Sequence, residues 1–420
     1  MPELRIDFDW EDPRGARGSE LRATWARLEI RVDGEPLTRV HDRCSKSVRD
    51  YVYVPLYPVA EWLALHWWQL LYGSSRRNLR HSREGFALPD VEMLSLGESV
   101  QLLWSPTPVD HWDVRFLESG SALIPLASLR SCLRGFVEAV LTRLEQKGLG
   151  DTELRQEWSR IDEVTSEEEE FCRVAAALGL DPFAVTEDQE TAILQAHEKL
   201  AGRPGIEHEF FHAARVDQLS DQLDRLLEAE ARLAGQAGEG PGIALTRLSV
   251  DRSDAPWDQG YDLARRLRES LRLGDRRFRD FDDILQVFSS NGKPAFVEVP
   301  SDRLFDALAL ERSPGQVRLA LSSARKRDES RSFTLCRAVA EVLVADDIEL
   351  HLVTPGQTER QKRNRAFAAE FLAPASLLNS RLSGEVVGLD LVEELAEEFA
   401  VSPMVIEHQL ENHRLARVRL

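Results

Sequence analysis

Two histidines and a glutamate in the middle of the chain have the spacing of a zinc peptidase motif. His208 and His212 are four residues apart, so on a helix they would share one face, with Glu209 beside them as a general base. Glu228 or Glu230 lies at a distance where the next helix could supply a third ligand. Such residues would bind zinc and activate its water molecule for peptide hydrolysis. The pattern therefore predicts a candidate zinc site.

The surrounding sequence also supports a second interpretation, in which both histidines are ordinary surface residues. Pro204 and Gly205 directly precede the motif and would place it in a fraying first turn. Phe210 and Phe211 have the pattern of core residues in a helical hairpin. We favour the surface interpretation and keep the zinc site as the alternative.

A second stretch, residues 331–374, predicts two short apolar helices. Residues 333–344 place apolar side chains at helical spacing, and residues 366–372 repeat the pattern before Pro374 ends the second helix. Because both segments carry small alanine faces, we expect the two helices to pack against each other.

These segments resemble the ImmA/IrrE family of zinc metallopeptidases over roughly residues 255–420. RSFTLCRAVAEVL (331–343) is similar to the metal-binding helix of that family, and RAFAAEFLAP (365–374) to its next helix. PWDQGYDLARRLRESLRLGDRRFRDFDDIL (256–285) resembles the opening helix and turn, and LAEEFAVSPMVIEHQLENHRL (395–415) the C-terminal helices. The tryptophan-rich first part of the chain resembles a domain without known activity that precedes the peptidase domain in longer members.

The resemblance also implies that the catalytic residues have been replaced. Residue by residue, the first metal-binding histidine falls on Arg337, the general base on Ala338 and the second histidine on Glu341. A guanidinium offers donors only and cannot ligate a cation, and a methyl group cannot accept a proton. The third ligand falls near Gln361, with Glu359 as the nearby carboxylate. The resemblance therefore implies no catalytic residue and no metal or other cofactor at this locus.

The replacement residues at this locus leave alternatives open. Arg337 and Glu341 are neighbours on one helical face and could form an ion pair, or both could be solvated. A basic patch begins the second helix and could receive an acidic partner or a nucleic-acid backbone, or be a solvated helix start. The patch consists of Arg360, Lys362, Arg363 and Arg365.

The composition restricts the partners and the compartment. A net charge of −19 argues against broad affinity for nucleic acid or an anionic membrane. No apolar run approaches the roughly 20 residues of a membrane span, and the first residues lack a signal-peptide pattern. The four cysteines are scattered without metal-like or disulfide-like spacing, so we expect a cytoplasmic protein.

The chain as a whole predicts an α+β fold in three regions. Residues 1–183 form a strand-and-helix domain whose helix at 57–72 is rich in tryptophan, and residues 184–250 form a helical middle region that contains a linker at 234–242. Residues 251–420 form a mostly helical domain with a small sheet. Five tryptophans of the first region could form its hydrophobic core or a surface on which an aromatic ligand or a base stacks, and we favour the core. They are Trp62, Trp67, Trp68, Trp104 and Trp112.

Two functions from different classes follow. The first is a catalytically inactive ImmA/IrrE-like pseudo-peptidase that binds a protein, such as a repressor or a component of a mobile-element, stress-response or phage-defence system. Arg337, Glu341 and the basic patch would then lie at the partner-binding surface, and association of the chain with itself is a further option. The alternative is a zinc-dependent metallopeptidase that uses His208, Glu209, His212 and Glu230.

Overall fold

The computed structural model describes residues 2–13, 17–106, 113–235, 243–244, 246–288, 296–300, 304–313, 316–344, 350–382 and 384–419. The chain divides into two compact units, Met1–Ile193 and Leu194–Leu420. Both combine helices with small sheets, so the predicted α+β class is confirmed. The part of the predicted middle region that follows residue 193 belongs to the second unit. Within the described ranges, no helix is both long enough and apolar enough to cross a membrane.

The first unit is built from three antiparallel sheets and six helices among its described residues. The strand orders are β1-β2-β3 with β6 on β2, then β10-β4-β5, then β11-β9-β8-β7. The elements are β1 (Leu4–Trp10), α1 (Ser19–Ala23), β2 (Trp25–Val32), β3 (Glu35–Pro36), β4 (Val40–Asp42), β5 (Ser47–Arg49), β6 (Val52–Pro55), α2 (Tyr57–Leu65), α3 (Trp67–Tyr72), β7 (Arg77–Asn78), β8 (Asp90–Ser95), β9 (Ser99–Ser105), β10 (Val114–Phe116), β11 (Gly120–Pro125), α4 (Leu126–Gln146), α5 (Glu153–Asp162) and α6 (Ser166–Ala177). A further helix, α7 (Glu187–Leu200), spans the boundary between the units.

The core of the first unit is rich in tryptophan. Trp62, Trp67 and Trp68 are buried among aliphatic residues, and Trp104 packs against the same cluster, which confirms the predicted core. Trp112 lies outside the described residues. The helix predicted over residues 57–72 is in fact two helices, because the chain breaks at His66 between α2 and α3.

The second unit surrounds one larger sheet with helices on both faces. Its elements are α8 (Pro204–Ala213), α9 (Leu219–Gly235), β12 (Ile243–Ala244), α10 (Pro256–Ser270), α11 (Phe281–Phe288), β13 (Phe296–Val299), β14 (Ala307–Ser313), β15 (Gln316–Ser322), α12 (Asp328–Leu343), β16 (Leu350–Val353), α13 (Glu359–Leu372), α14 (Ala375–Asn379), β17 (Val386–Gly388), α15 (Leu389–Phe399), α16 (Pro403–Asn412) and β18 (Arg417–Arg419). The strands predicted at 294–300 and 317–323 correspond to β13 and β15. Most of the predicted linker at 234–242 lies outside the described residues.

Strand alternation assigns the two faces of this sheet. β14 lies between β15 and β16 and is antiparallel to both, while β12 and β13 pair with the other edge of β15. Ala307, Ala309 and Val353 face the core that contains α12. On the opposite face, the side chain of Arg318 donates a hydrogen bond of 3.2 Å to the carbonyl of Leu233 in α9. The sheet therefore separates α12 from the α8–α9 hairpin.

The two helices predicted from residues 331–374 do pack against each other, as α12 and α13, and α13 also packs against α10. The approach of α10 to α13 depends on Gly260. A Cβ atom built at that position would lie 2.3 Å from the carbonyl oxygen of Arg363 and 2.8 Å from the amide nitrogen of Phe367. Only a residue without a side chain allows the two backbones to come this close.

Gly260→Ala should therefore destabilise the second unit by about 1–3 kcal/mol, although alanine favours a helix over glycine. Gly135→Ala is the matched control, because a Cβ at this position in α4 would meet nothing within 4 Å. We expect the control to leave stability unchanged or to raise it by up to about 1 kcal/mol. Hydrogen–deuterium exchange measured peptide by peptide would assign each effect to its own unit. A stable Gly260→Ala protein would contradict the close approach.

Candidate functional site

The candidate site lies at the end of the sheet where β14 begins and β16 ends. Asp306 immediately precedes β14, and Thr354 immediately follows β16, so the antiparallel pairing of these strands brings the two residues to the same end. Arg337 reaches this point from α12 on one face of the sheet, and Glu209 from α8 on the other. The first turn of α13 completes the site.

Arg337 is a buried cation bound on several sides. Its side chain is only 5% exposed, and Nη1 donates a hydrogen bond of 2.7 Å to Asp306 Oδ2. Nη2 donates to Gln361 Oε1 at 2.8 Å and to the carbonyl of Thr354. Burial lowers the pKa of Arg337, and the Asp306 carboxylate opposes this shift. The guanidinium thus cross-links α12, α13 and both strand ends.

Glu341 is also buried, with a side chain 1% exposed, and it binds a different set of partners. Arg360, Arg363 and Asn364 of α13 all donate to its carboxylate, Arg363 at 3.3 Å. Neither expected arrangement of Arg337 and Glu341 is found, since they are not solvated and each pairs with groups from other elements. Partners across the helix interface satisfy the two charges better than a bond along the surface of one helix.

The predicted basic patch is largely turned inward. Arg360 and Arg363 bind Glu341, and Arg365 donates to the carbonyls of Pro355 and Gly356 at 2.8 and 2.6 Å. Burial lowers the pKa of Arg363 and of Arg365 to about 10. These arginines therefore form neither an exposed patch nor a solvated helix start, and Lys362 is half-buried beside them. Their role in binding a partner stays a prediction.

Glu209 is completely buried and lies in a cradle of donors. Its Oε1 accepts a hydrogen bond of 2.7 Å from the Thr358 hydroxyl, and its Oε2 accepts one of 2.9 Å from Gln361 Nε2. The Thr354 hydroxyl donates to Oε2 at 3.4 Å. Burial raises the pKa of Glu209, but His208, the charge of Arg360 and the Thr358 bond outweigh it and lower the pKa to about 2. The residue is therefore a carboxylate anion.

The two motif histidines share a face of α8, as the spacing predicts, with ring centroids 4.1 Å apart. His208 is 36% exposed at its side chain, whereas Nε2 of His212 is buried. Glu230, the predicted third ligand, forms two hydrogen bonds with Arg203 at 2.7 and 3.1 Å. In the described part of the chain, no three His, Cys, Asp or Glu side chains are grouped so that they could hold a metal ion. The structure therefore brings His208 and His212 together, whereas Glu230, the predicted third ligand, is bound by Arg203.

The cluster around Arg337 and Glu209 has many donors that can bind a carboxylate, but few free lone pairs that could bind a cation. Arg337, Arg360 and Arg363 are matched by the carboxylates of Asp306, Glu341 and Glu209, and the lone pairs of these acids already accept hydrogen bonds. Zinc needs deprotonated ligands that converge with free lone pairs. The residues present at this position therefore do not fit the zinc ion that active members of the ImmA/IrrE family bind.

Several residues of the site were not predicted from the sequence. They are Asp306, Thr354, Thr358 and Asn364. One signal was available, because Thr358 and Gln361 have the spacing of a helix capping box. Thr358 does cap α13, because its hydroxyl accepts a hydrogen bond of 3.2 Å from the backbone nitrogen of Gln361. The side chain of Gln361 does not complete the capping box and binds Arg337 and Glu209 instead.

Comparison of the sequence with protein-family models and with curated proteins gives no match.

Arg337→Met should destabilise the second unit by about 3–5 kcal/mol, because it breaks a buried ion pair and removes a donor from Gln361. Arg325→Met is the matched control, since Arg325 binds the same Asp306 at 2.7 Å but is 43% exposed. We expect the control to cost at most about 1 kcal/mol. Urea unfolding monitored by hydrogen exchange in α12 and α13 would measure both. Equal losses would show that burial of the Arg337 pair is unimportant.

His212 should make the second unit less stable as the pH falls from about 6.5 to about 4. Burial, aided by the charge of His208, lowers the pKa of His212 to about 4. An unfolded histidine titrates near 6.5, so the unfolded state binds the proton first and stability rises with pH across this window. Glu209 adds a slope of the same sign only below about pH 5, because an unfolded glutamate titrates near 4.5 and the folded carboxyl has a pKa of about 2.

Replacing His212 by glutamine should flatten this pH dependence by about 1 kcal/mol per pH unit. Unfolding free energies from hydrogen exchange at several pH values would measure the slope. His408→Gln serves as the control, because His408 is exposed. A slope between pH 6.5 and 5 that persists in His212→Gln would contradict the assignment, as would its loss in the control.

Proposed function

We propose that the second unit is an ImmA/IrrE-like pseudo-peptidase, catalytically inactive, that acts as a protein-binding regulatory module. The observation that carries this proposal is the environment of Arg337. At the position where the resemblance aligns the first metal-binding histidine, a buried guanidinium lies 2.7 Å from Asp306. A fixed positive charge with donors only would repel Zn²⁺ and offers it no lone pair.

Further contacts support the alignment on which the proposal rests. The resemblance aligns Arg337 and Glu341 with two ligands and puts Gln361 near the third. Arg337 and Gln361 are in direct contact at 2.8 Å, although they belong to different helices. Glu341 lies one turn along α12 from Arg337 and contacts Asn364, one turn along α13 from Gln361. Three positions that would converge on a metal in an active member thus converge on one polar cluster.

The partner that we propose is a protein, such as a transcriptional repressor or a component of a mobile-element, stress-response or phage-defence system. This setting follows from the resemblance, because active members of the family cleave or antagonise repressors. The net charge of −19 argues against nucleic acid and anionic membranes as ligands. We place the protein in the cytoplasm, which the four free thiols support. Self-association stays a further prediction.

Metal analysis of the purified full-length protein distinguishes this proposal from the alternative zinc peptidase at His208, Glu209, His212 and Glu230. We expect fewer than about one zinc ion per ten chains and an unfolding temperature that a chelator does not change. His208→Ala and His212→Ala should have the same metal content as the control His408→Ala. Stoichiometric zinc that is lost together with peptidase activity in the first two variants would overturn the proposal.

A further inference from the structure

The amide group of Gln361 has a fixed orientation. Its Oε1 accepts hydrogen bonds from Arg337 Nη2 at 2.8 Å and from the Thr354 backbone nitrogen at 3.2 Å. Nε2 must therefore point the other way, where it donates to Glu209 Oε2 and to the carbonyl of Leu352, both at 2.9 Å. Arg337 thus commits Gln361 to act as a donor toward Glu209.

The two threonine hydroxyls are oriented in the same way. Thr354 Oγ1 accepts from the Gly356 nitrogen at 3.1 Å, and Thr358 Oγ1 accepts from the Gln361 nitrogen at 3.2 Å. Because a hydroxyl has one hydrogen to donate, each is left to direct it at the carboxylate of Glu209. We call Thr354, Thr358 and Gln361 the carboxylate receptor. All three donors belong to the eight-residue segment 354–361, and the contact with Arg337 orients Gln361 within it.

The positive potential around the receptor comes from two further sources. The receptor includes the N-cap and the first turn of α13, a helix of 14 residues whose N-terminal end favours negative charge. Arg360 adds a full charge and also donates a hydrogen bond of 3.1 Å to the carbonyl of Gly205, at the start of α8. The receptor is therefore preorganised for a carboxylate, because it directs donors at both carboxylate oxygens.

The anion that fills the receptor comes from a distant and short element. Glu209 is 145 residues from Thr354 and 152 from Gln361 along the chain. Its helix, α8, has only ten residues, a length that is marginal for an isolated helix. Ile206, Phe210 and Phe211 of the same helix are buried beside it. Glu209 followed by two aromatic residues is thus the ligand that the receptor holds within its own chain.

We propose that the carboxylate receptor is the binding site for an acidic helical segment of the protein partner, and that α8 occupies it until the partner replaces it. The partner segment would present a glutamate followed by aromatic side chains, as α8 does. This inference rests on the proposed function and defines the chemistry of its partner. A phosphate group fits less well, because its additional oxygens would be buried without donors.

A peptide with the sequence of residues 203–214, added in trans to the full-length protein, tests the inference by fluorescence anisotropy. The Glu209→Gln protein should bind it about tenfold more tightly than wild type, because the competing internal carboxylate has been neutralised. The Glu207→Gln protein is the matched control, since Glu207 lies on the same helix but contacts His197. That variant should bind like wild type.

The peptide itself carries the second control. A peptide with Glu209→Gln should bind about tenfold more weakly than the native sequence, and Thr358→Val in the protein should cause a similar loss. Equal binding of the two peptides, or no binding to a folded Glu209→Gln protein, would overturn the inference.

Limited proteolysis of wild type covers the case in which Glu209→Gln does not fold. Excess native peptide should increase tryptic cleavage after Arg215, the arginine that follows α8, and the Gln peptide should not. The same cleavage with both peptides, or with neither, would refute displacement of α8. Zinc analysis of the same preparations separates the two proposals. Bound zinc together with peptidase activity would refute only the pseudo-peptidase. A zinc-free protein that does not bind the peptide would refute only the receptor.

Discussion

The neutralisation of buried charge at Arg337 is the constraint on which the second unit depends. A guanidinium removed from water costs several kcal/mol unless an anion and further acceptors surround it. Asp306, the carbonyl of Thr354 and Gln361 Oε1 supply these groups from two strand ends and from α13. Each of these backbone positions is therefore fixed relative to α12 by the same requirement. A shift of any one of them would leave a charge or a polar atom buried without its partner.

The same requirement extends from α12 to α8 through Gln361. Because Arg337 occupies the amide oxygen of Gln361, the amide nitrogen needs an acceptor, and Glu209 supplies one from the opposite face of the sheet. The negative charge of Glu209 is in turn stabilised by His208 and Arg360. Arg360 also forms an ion pair with Glu341, which belongs to α12, so the contacts connect back to the helix that carries Arg337. The alternation of charges makes this cluster cooperative, and one substitution should disturb several helices together.

Local patterns in the sequence predicted much of the secondary structure. The strands predicted at 294–300 and 317–323 are present as β13 and β15, and the two helices predicted within residues 331–374 are present as α12 and α13. Phe210 and Phe211 are core residues, as their pattern indicated. The site itself was harder, because periodicity does not reveal a charge that is buried by a distant partner. Arg337 and Asp306 are 31 residues apart, and nothing near either residue marks the other.

The cluster also explains how a metalloprotein scaffold, as we propose, can keep its shape without a metal. In a zinc site, lone pairs from several elements converge on a central cation and join those elements together. Around Arg337, carboxylate, carbonyl and amide oxygens likewise converge on a cation, but the cation is covalently part of α12. In the proposed pseudo-peptidase these cross-links would do what the bonds to a metal do in an active member of the family. The donors of Gln361, Thr354 and Thr358 are directed at the carboxylate of Glu209, so this part of the cluster suits an anion and not a cation.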